Sequence, residues 1–323
     1  MSNPRVLCLG EILYDVLADQ LGRSLSEVES WTSYPGGAPA NVACALVKLG
    51  TPSAFIGAVG EDQPGNELVK LLEEVGVDTT GVQRHPSSPT REVLVTRKQN
   101  GDRVFSGFKD YDTAEFADTR LKAAKLPEKL FALSEILVIG TLELAYPETG
   151  EAVYRALELA SQHNVKILLD VNWRDVFWKN PEAAPDKIRE LIKKVDFLKL
   201  AKEEAELLFD TADAGAITYR VNTLEGVLVT DGDKGCAYCL GENEDKLPSF
   251  SVSVVDTTGA GDSFVAGFVH QLLNYGVQNL KDAEVVKKII AYASAAGALT
   301  TLKPGAIASQ PTAEEVEKFL SEN

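Results

Sequence analysis

Apolar runs alternate with amphipathic segments along most of this chain. Residues 5–13 (RVLCLGEIL) read as a first, buried strand, and 53–59 as another. Between them, residues 41–49 carry apolar positions at helical spacing and stop at Gly50. Residues 65–75 read as a helix ended by Gly76. The same rhythm returns at 135–139, 166–171, 196–200 and 226–230, each run flanked by a helical pattern. Such alternation predicts an α/β fold with a mostly parallel sheet covered on both faces. Ligands of these sheets bind beyond the carboxyl ends of the strands.

One region breaks the rhythm. Residues 90–98 and 103–108 alternate like strands around Gln99-Asn100-Gly101-Asp102, which predicts a β-hairpin. Residues 14–34 also lack a helical period. The two segments, about 14–35 and 90–110, predict a small sheet lying over a single domain that spans 1–323. A lid of this kind excludes water during group transfer; a surface hairpin without a role is the alternative. Exposed lid edges invite pairing, so a lid-mediated homodimer is expected.

Charge narrows the partners. The 323 residues carry a net charge of −16, which argues against nucleic acid or an anionic membrane as partner. No run approaches the ~20 apolar residues of a membrane span. The apolar start is interrupted by Glu11 and Asp15, so no signal peptide is expected. Cys236 and Cys239 have CxxC spacing but no second pair to complete a zinc site, and they lie in a strand-like run. With Cys8 and Cys44 they read as buried, reduced thiols, which fits the cytoplasm. The scattered His85, His163 and His270 read as structural or surface residues.

The chemistry concentrates in Asp256-Thr257-Thr258-Gly259-Ala260-Gly261-Asp262, which runs into an apolar helical pattern. A turn that opens a helix presents unpaired N–H groups and positive dipole potential, a ready phosphate site. A carboxylate beside phosphate is electrostatically odd unless Asp262 takes a proton from the attacking group. The alternative is a glycine-rich loop with an acid in the first helical turn. Upstream, Gly36-Gly37-Ala38-Pro39-Ala40-Asn41 precedes another helix. Its glycines allow close backbone approach, and Asn41 can donate and accept toward a sugar hydroxyl or serve as an N-cap. Asp15 ends the first strand's run, where a binding carboxylate belongs. Thr230-Asp231-Gly232-Asp233-Lys234-Gly235 follows a strand and suits either nucleotide phosphates or a hairpin turn. Asp170-Val171-Asn172-Trp173-Arg174 places a guanidinium after a strand, for a phosphoryl group, a sugar or a surface ion pair. Neither GxGxxG nor GxxxxGK[ST] occurs, which disfavours a nicotinamide fold and excludes a P-loop.

Together, the glycine–asparagine motif with Gly50 and Gly60 behind it and residues 256–269 resemble the two signatures of the ribokinase-like, phosphofructokinase-B-type carbohydrate kinases. The resemblance covers nearly the whole chain and is strongest to fructokinases, through Gly10-Glu11, Asp15, the Pro39 form of the motif and Asp170-x-Asn172-x-Arg174. It implies a ribokinase-like three-layer sandwich with a mostly parallel central sheet and a small β-sheet lid. It implies Asp262 as catalytic base, the Gly259, Ala260 and Gly261 amides as anion hole, and Arg174 beside the transferred group. On the sugar side it implies Asp15, Gly36, Gly37, Asn41, Arg103, Glu143 and Asn172. Along the nucleotide it implies Lys199, Glu204, Thr230, Gly232, Gly235, Ser294 and Gly305. It implies a monovalent cation, K+, near Asp256 and Thr258, and Mg2+ reached by Glu204 through water. Three positions depart from the family pattern: Ala201 and Ser294 stand where asparagine is common, and Val171 replaces a proline. The implied activity is ATP-dependent phosphorylation of the C6 hydroxyl of D-fructose. A 2-keto-3-deoxygluconate kinase or ribokinase on the same fold is the near alternative, and a non-catalytic sugar-responsive protein the distant one.

Overall fold

The computed structural model of the chain describes residues 3–99, 103–108 and 111–323, and only the backbone of Arg103. Its strands are β1 (Val6–Leu9), β2 (Leu13–Leu21), β3 (Trp31–Gly36), β4 (Ser53–Gly60), β5 (Asp78–His85), β6 (Glu92–Arg97), β7 (Arg103–Gly107), β8 (Ile136–Ile139), β9 (Lys166–Asp170), β10 (Phe197–Ala201), β11 (Gly226–Thr230), β12 (Cys236–Leu240) and β13 (Asn243–Leu247). Its helices are α1 (Ala38–Lys48), α2 (Gln63–Val75), α3 (Glu128–Phe131), α4 (Pro147–Gln162), α5 (Ala184–Ile192), α6 (Lys202–Phe209), α7 (Ala214–Val221), α8 (Ala260–Tyr275), α9 (Ala283–Thr300) and α10 (Ala313–Glu322).

Among the described residues, nine strands form one sheet in the order β13-β12-β11-β10-β9-β8-β1-β4-β5. Pairing is parallel from β5 across to β11; only the β11–β12–β13 edge is antiparallel. Successive side chains of a strand face opposite ways, and β1 serves both faces. Leu7 and Leu9 enter a core shared with α4, α5, α6 and α7. Val6 and Cys8 enter the core shared with α1, α2, α8 and α9. Helices thus cover both faces, the three-layer α/β arrangement expected from the alternation.

The expected strand over 5–13 is two elements. β1 stops at Leu9, and Gly10 turns the chain at φ 153°, where a Cβ would lie 2.5 Å from Pro39 Cγ. Leu13 then opens β2, so Asp15 sits inside a lid strand and not at the end of the first strand. β2 pairs antiparallel with β3 and parallel with β6, and β6 pairs antiparallel with β7. The two predicted insertions therefore build one small sheet, in the order β3-β2-β6-β7. The Asn100-Gly101 turn predicted for its hairpin lies outside the described residues. Leu13, Leu17, Val93 and Val95 pin the small sheet to the main core.

At that junction Arg91 is buried to 1% exposure. Its Nε and Nη2 donate to Asp118 at 2.5 and 2.8 Å. The guanidinium carbon lies 4.6 Å from the Phe116 ring centre, with Phe108, Phe177 and Tyr146 around it. A desolvated cation needs this pairing, and the rings add cation–π attraction.

Candidate functional site

A cavity of about 310 Å³ opens at the carboxyl end of the parallel strands. Glu11 follows β1, Gly140 and Thr141 follow β8, Asn172 and Arg174 follow β9, and Lys199 belongs to β10. Leu13, Asp15 and Phe105 of the small sheet cover it. Gly37, Ala38, Pro39 and Asn41 form one wall; Thr257, Thr258, Gly259, Gly261 and Asp262 form another. The predicted sugar loop and phosphate loop, far apart in sequence, thus face one space.

They meet because α1 and α8 pack together. Asn41 Nδ2 donates to Asp262 Oδ2 at 2.7 Å. Asn41 Oδ1 is buried and has no hydrogen-bond partner among the described residues, so it offers an acceptor at the cavity. Gln310 Nε2 fixes the Asn41 carbonyl at 2.8 Å. Burial pushes the Asp262 carboxyl up to about 6, against the Asn41 bond and the positive charges of Lys199 and Arg174. A carboxylate of that pKa, held by a neutral donor, is suited to accept a proton near neutrality.

Ahead of α8, Gly259 adopts φ 77°, and a Cβ there would lie 2.8 Å from Ala306 Cβ. The turn therefore demands glycine. Of the expected anion-hole residues, Gly259 and Gly261 line the cavity and Ala260 does not. The Ala260 N–H bends back to Thr257 O at 3.3 Å, closing a tight first turn. The Gly261 N–H, in that first turn, has no intrahelical acceptor by position.

Lys199, expected along the nucleotide, reaches the cavity beside Gly261. Its ammonium donates to Asp170 Oδ1 at 2.9 Å, and both residues are buried. Burial opposes its charge, but Asp170, Glu204 and Asp262 outweigh it and raise the lysine pKa. Arg174 lies at the rim, 4.0 Å from Glu204 Oε1. Glu204 itself accepts Trp173 N–H and Ala201 N–H at 2.8 and 2.7 Å. It is thereby the first-turn anchor of α6, where the chain carries Ala201.

The other expected nucleotide residues lie off this cavity. Thr230, Gly232 and Gly235 form the turn of the antiparallel β11–β12 hairpin, closed by Asp231 N–H to Gly235 O at 2.9 Å. Ser294 is on α9. Gly305 donates its N–H to Asp256 Oδ2 at 2.9 Å, while Asp256 Oδ1 accepts the Thr258 N–H and hydroxyl at 3.0 and 2.6 Å. Asp256 thus ties the phosphate loop to the loop after α9. Among the described residues no group of three or more His, Cys, Asp or Glu could hold a metal ion. On the sugar side, Gly36 ends β3 behind Asp15, where a Cβ would lie 3.1 Å from Asp15 Oδ2. Glu143 is 2% exposed and does not line the cavity. Its position follows from the chain turning inward after β8, which sequence spacing does not reveal. The Arg103 side chain lies outside the described residues. Phe105, Thr141, Leu142 and Phe177 line the cavity without a sequence signal of their own, Phe105 excepted through its place in the alternating hairpin.

The profile of the pfkB family of carbohydrate kinases matches residues 3–313. Probable fructokinase-5 of Arabidopsis thaliana is 35% identical over 322 residues, covering 99% of this chain and 98% of that one. Among solved structures, the fructokinase of Xylella fastidiosa with bound ATP superposes with a TM-score of 0.89 at 28% identity, covering 98% of each chain. A protein of E. coli described as a putative Ribokinase II, in complex with ATP and Mg2+, gives a TM-score of 0.86 at 25% identity, covering 99% of this chain and 100% of that one.

Proposed function

We propose that this chain, which belongs to the pfkB family of carbohydrate kinases and is a phosphotransferase acting on a sugar hydroxyl, transfers the γ-phosphoryl group of ATP to the C6 hydroxyl of D-fructose. The observation that carries the chemistry is the Asn41–Asp262 pair at the floor of the covered cavity. Asp262 accepts the hydroxyl proton as that oxygen bonds to phosphorus. The bond from phosphorus to the bridging oxygen breaks, and ADP leaves with that electron pair. The Gly261 N–H, Lys199 and Arg174 stabilise charge on the transferred group; such transfer depends mainly on positioning and electrostatics. Asp15 and Asn41 hold sugar hydroxyls, and Asn172 lines the same side. The fructokinase relatives support fructose as acceptor, and the ATP-bound neighbours support ATP as donor.

Magnesium, when bound, supplies positive charge to the phosphates. Both Glu204 oxygens already accept backbone N–H groups, so Glu204 reaches the ion through water. Asp256 and Thr258, which join two loops at the anion site, hold the monovalent cation. The lid keeps water from replacing the sugar. Val104, 39% exposed on the edge strand β7, supports a lid-mediated homodimer. No described helix is long and apolar enough to cross a membrane, and reduced cysteines support a cytoplasmic enzyme.

A panel of sugars assayed with ATP, with and without potassium, tests the reading. Fructose is preferred, the product is fructose 6-phosphate, and potassium accelerates the reaction. Preference for ribose or 2-keto-3-deoxygluconate overturns the acceptor. Absence of ATP consumption with every sugar restores the non-catalytic reading.

A further inference from the structure

Beneath the sugar-binding turn lie two carboxyl groups that the proposed chemistry does not use. Glu11 is 6% exposed and Glu143 2% exposed. Glu143 Oε1 reaches the backbone at Gly10, the neighbour of Glu11 in the chain, and the two carboxyls shift each other's proton affinity. Neither Glu143 oxygen meets a donor from the rest of the described residues. Arg91, a nearby cation, is already committed to Asp118 through two bonds. Two ionised carboxylates cannot sit together in such a site, because each loses hydration and repels the other. A carboxyl that keeps its proton becomes a donor to its neighbour and satisfies both.

The pair is joined to the sugar site through Glu11. Glu11 Oε1 accepts the N–H of Ala38, the first residue of α1, at 2.8 Å. Gly37 presses on the Glu11 backbone so closely that a Cβ there would lie 2.5 Å from Glu11 O. Gly37, Ala38 and Asn41 all line the cavity. Glu143 lies behind Gly10, where a Cβ would lie 2.7 Å from Glu143 Oε1. It backs Glu11 and stays out of the cavity.

We infer that Glu11 and Glu143 share a proton and brace the Gly37–Asn41 turn from beneath, which makes Glu143 a positioning residue for sugar binding that acts through Glu11. Burial raises both carboxyls, Glu143 to about 7, and the Glu143 charge raises Glu11 further. Around Glu143, Asp118 raises it and Arg91 lowers it; these two neutralise each other by their ion pair. The nearby Tyr146 phenol, bonded to Phe177 O, is itself pushed up by burial. Ala38 and Pro39 of α1 bring no charge to the pair. Raising the pH removes the shared proton, separates the carboxylates and loosens the turn.

Raised carboxyl pKa values set the sign for stability. The folded protein holds protons that the unfolded chain has released above pH 4.5, so the pair costs stability progressively as pH rises from there through the folded values. Glu143→Gln supplies a permanent donor and removes one titration. Thermal melts from pH 5.5 to 9 test this: Tm of Glu143→Gln minus Tm of the wild type becomes more positive with pH. Glu11→Gln gives the same trend, because its amide also mimics the half-protonated pair. The kinetic arm rests on the fructokinase reading. There, between pH 7 and 9, above the range in which Asp262 is protonated, the wild-type KM for fructose rises about threefold or more with little change in kcat, and the rise is lost in Glu143→Gln. A Tm difference independent of pH in both variants, or failure of both to fold at pH 6, overturns the shared proton. A KM for Glu143→Gln raised about tenfold at every pH, with an unchanged melt, makes Glu143 a direct sugar ligand and overturns the positioning role. The melts do not depend on the sugar, so failure of the fructose assignment is distinguishable from failure of the acid pair.

Discussion

Every residue of β1, β4 and β8 is buried, whereas β3 buries one of its six residues and β2 keeps most of its middle half-exposed. The large sheet is clamped between two helical layers and the small sheet rests on one face only. Yet both reach the same cavity. Lys199 stands on the fully packed wall with Asp262 on the helix against it, and Leu13, Asp15 and Phe105 stand on the thinner cover. Reacting groups need fixed geometry, while a cover has to admit and release substrate. Under the proposed function, the wall governs turnover and the cover governs affinity and the exclusion of water.

The sharpest attack on that division is at the wall. Asp262→Asn lowers kcat by about 10²–10⁴-fold while leaving sugar KM near normal. Burial pushes the Asp262 carboxyl up to about 6, so with Asp262 as the proposed base wild-type kcat falls as pH drops below that value. A variant that turns over nearly as fast as the wild type places the base elsewhere. On the cover, Asp15→Ala loses hydrogen bonds to a charged acceptor, and sugar KM rises about 10–100-fold with kcat changed far less. An equal fall in kcat erases the contrast between the sheets. The smallest effect is at Phe105→Ala, where KM changes about two- to fivefold and the yield of ADP exceeds that of sugar phosphate. Strict one-to-one stoichiometry in this variant denies the cover its role against water.

The alternation of apolar runs gave away the layers because strands buried on both faces must be apolar throughout. The two insertions were legible for the opposite reason: they lack the helical period. What stayed hidden depends on contacts between distant segments. Asn41 reads as a sugar ligand or an N-cap, and its bond to Asp262 becomes visible only when α1 packs on α8. Lys199 reads as one cation in an apolar run until Asp170 of the neighbouring strand lies beside it. Glu143 and Arg91 carry no local pattern, because burial of a charge is decided by its partners and not by its sequence neighbours. The break at Gly10 leaves no mark in the pattern, since apolar residues continue on both sides of it.

Asn41 bears on the order in which the polypeptide is made. Strand β1 leaves the ribosome before β4 and β8 and becomes interior only when both flank it. Asn41 emerges soon after, long before Asp262, to which its side chain donates, and Gln310, which donates to its carbonyl. A chain released before residue 262 lacks the proposed base, and one released before residue 310 lacks the Gln310 bond to α1. Products terminated before residue 262 therefore lack half of the Asn41–Asp262 pair, and the cavity is complete only after both of its walls have been made.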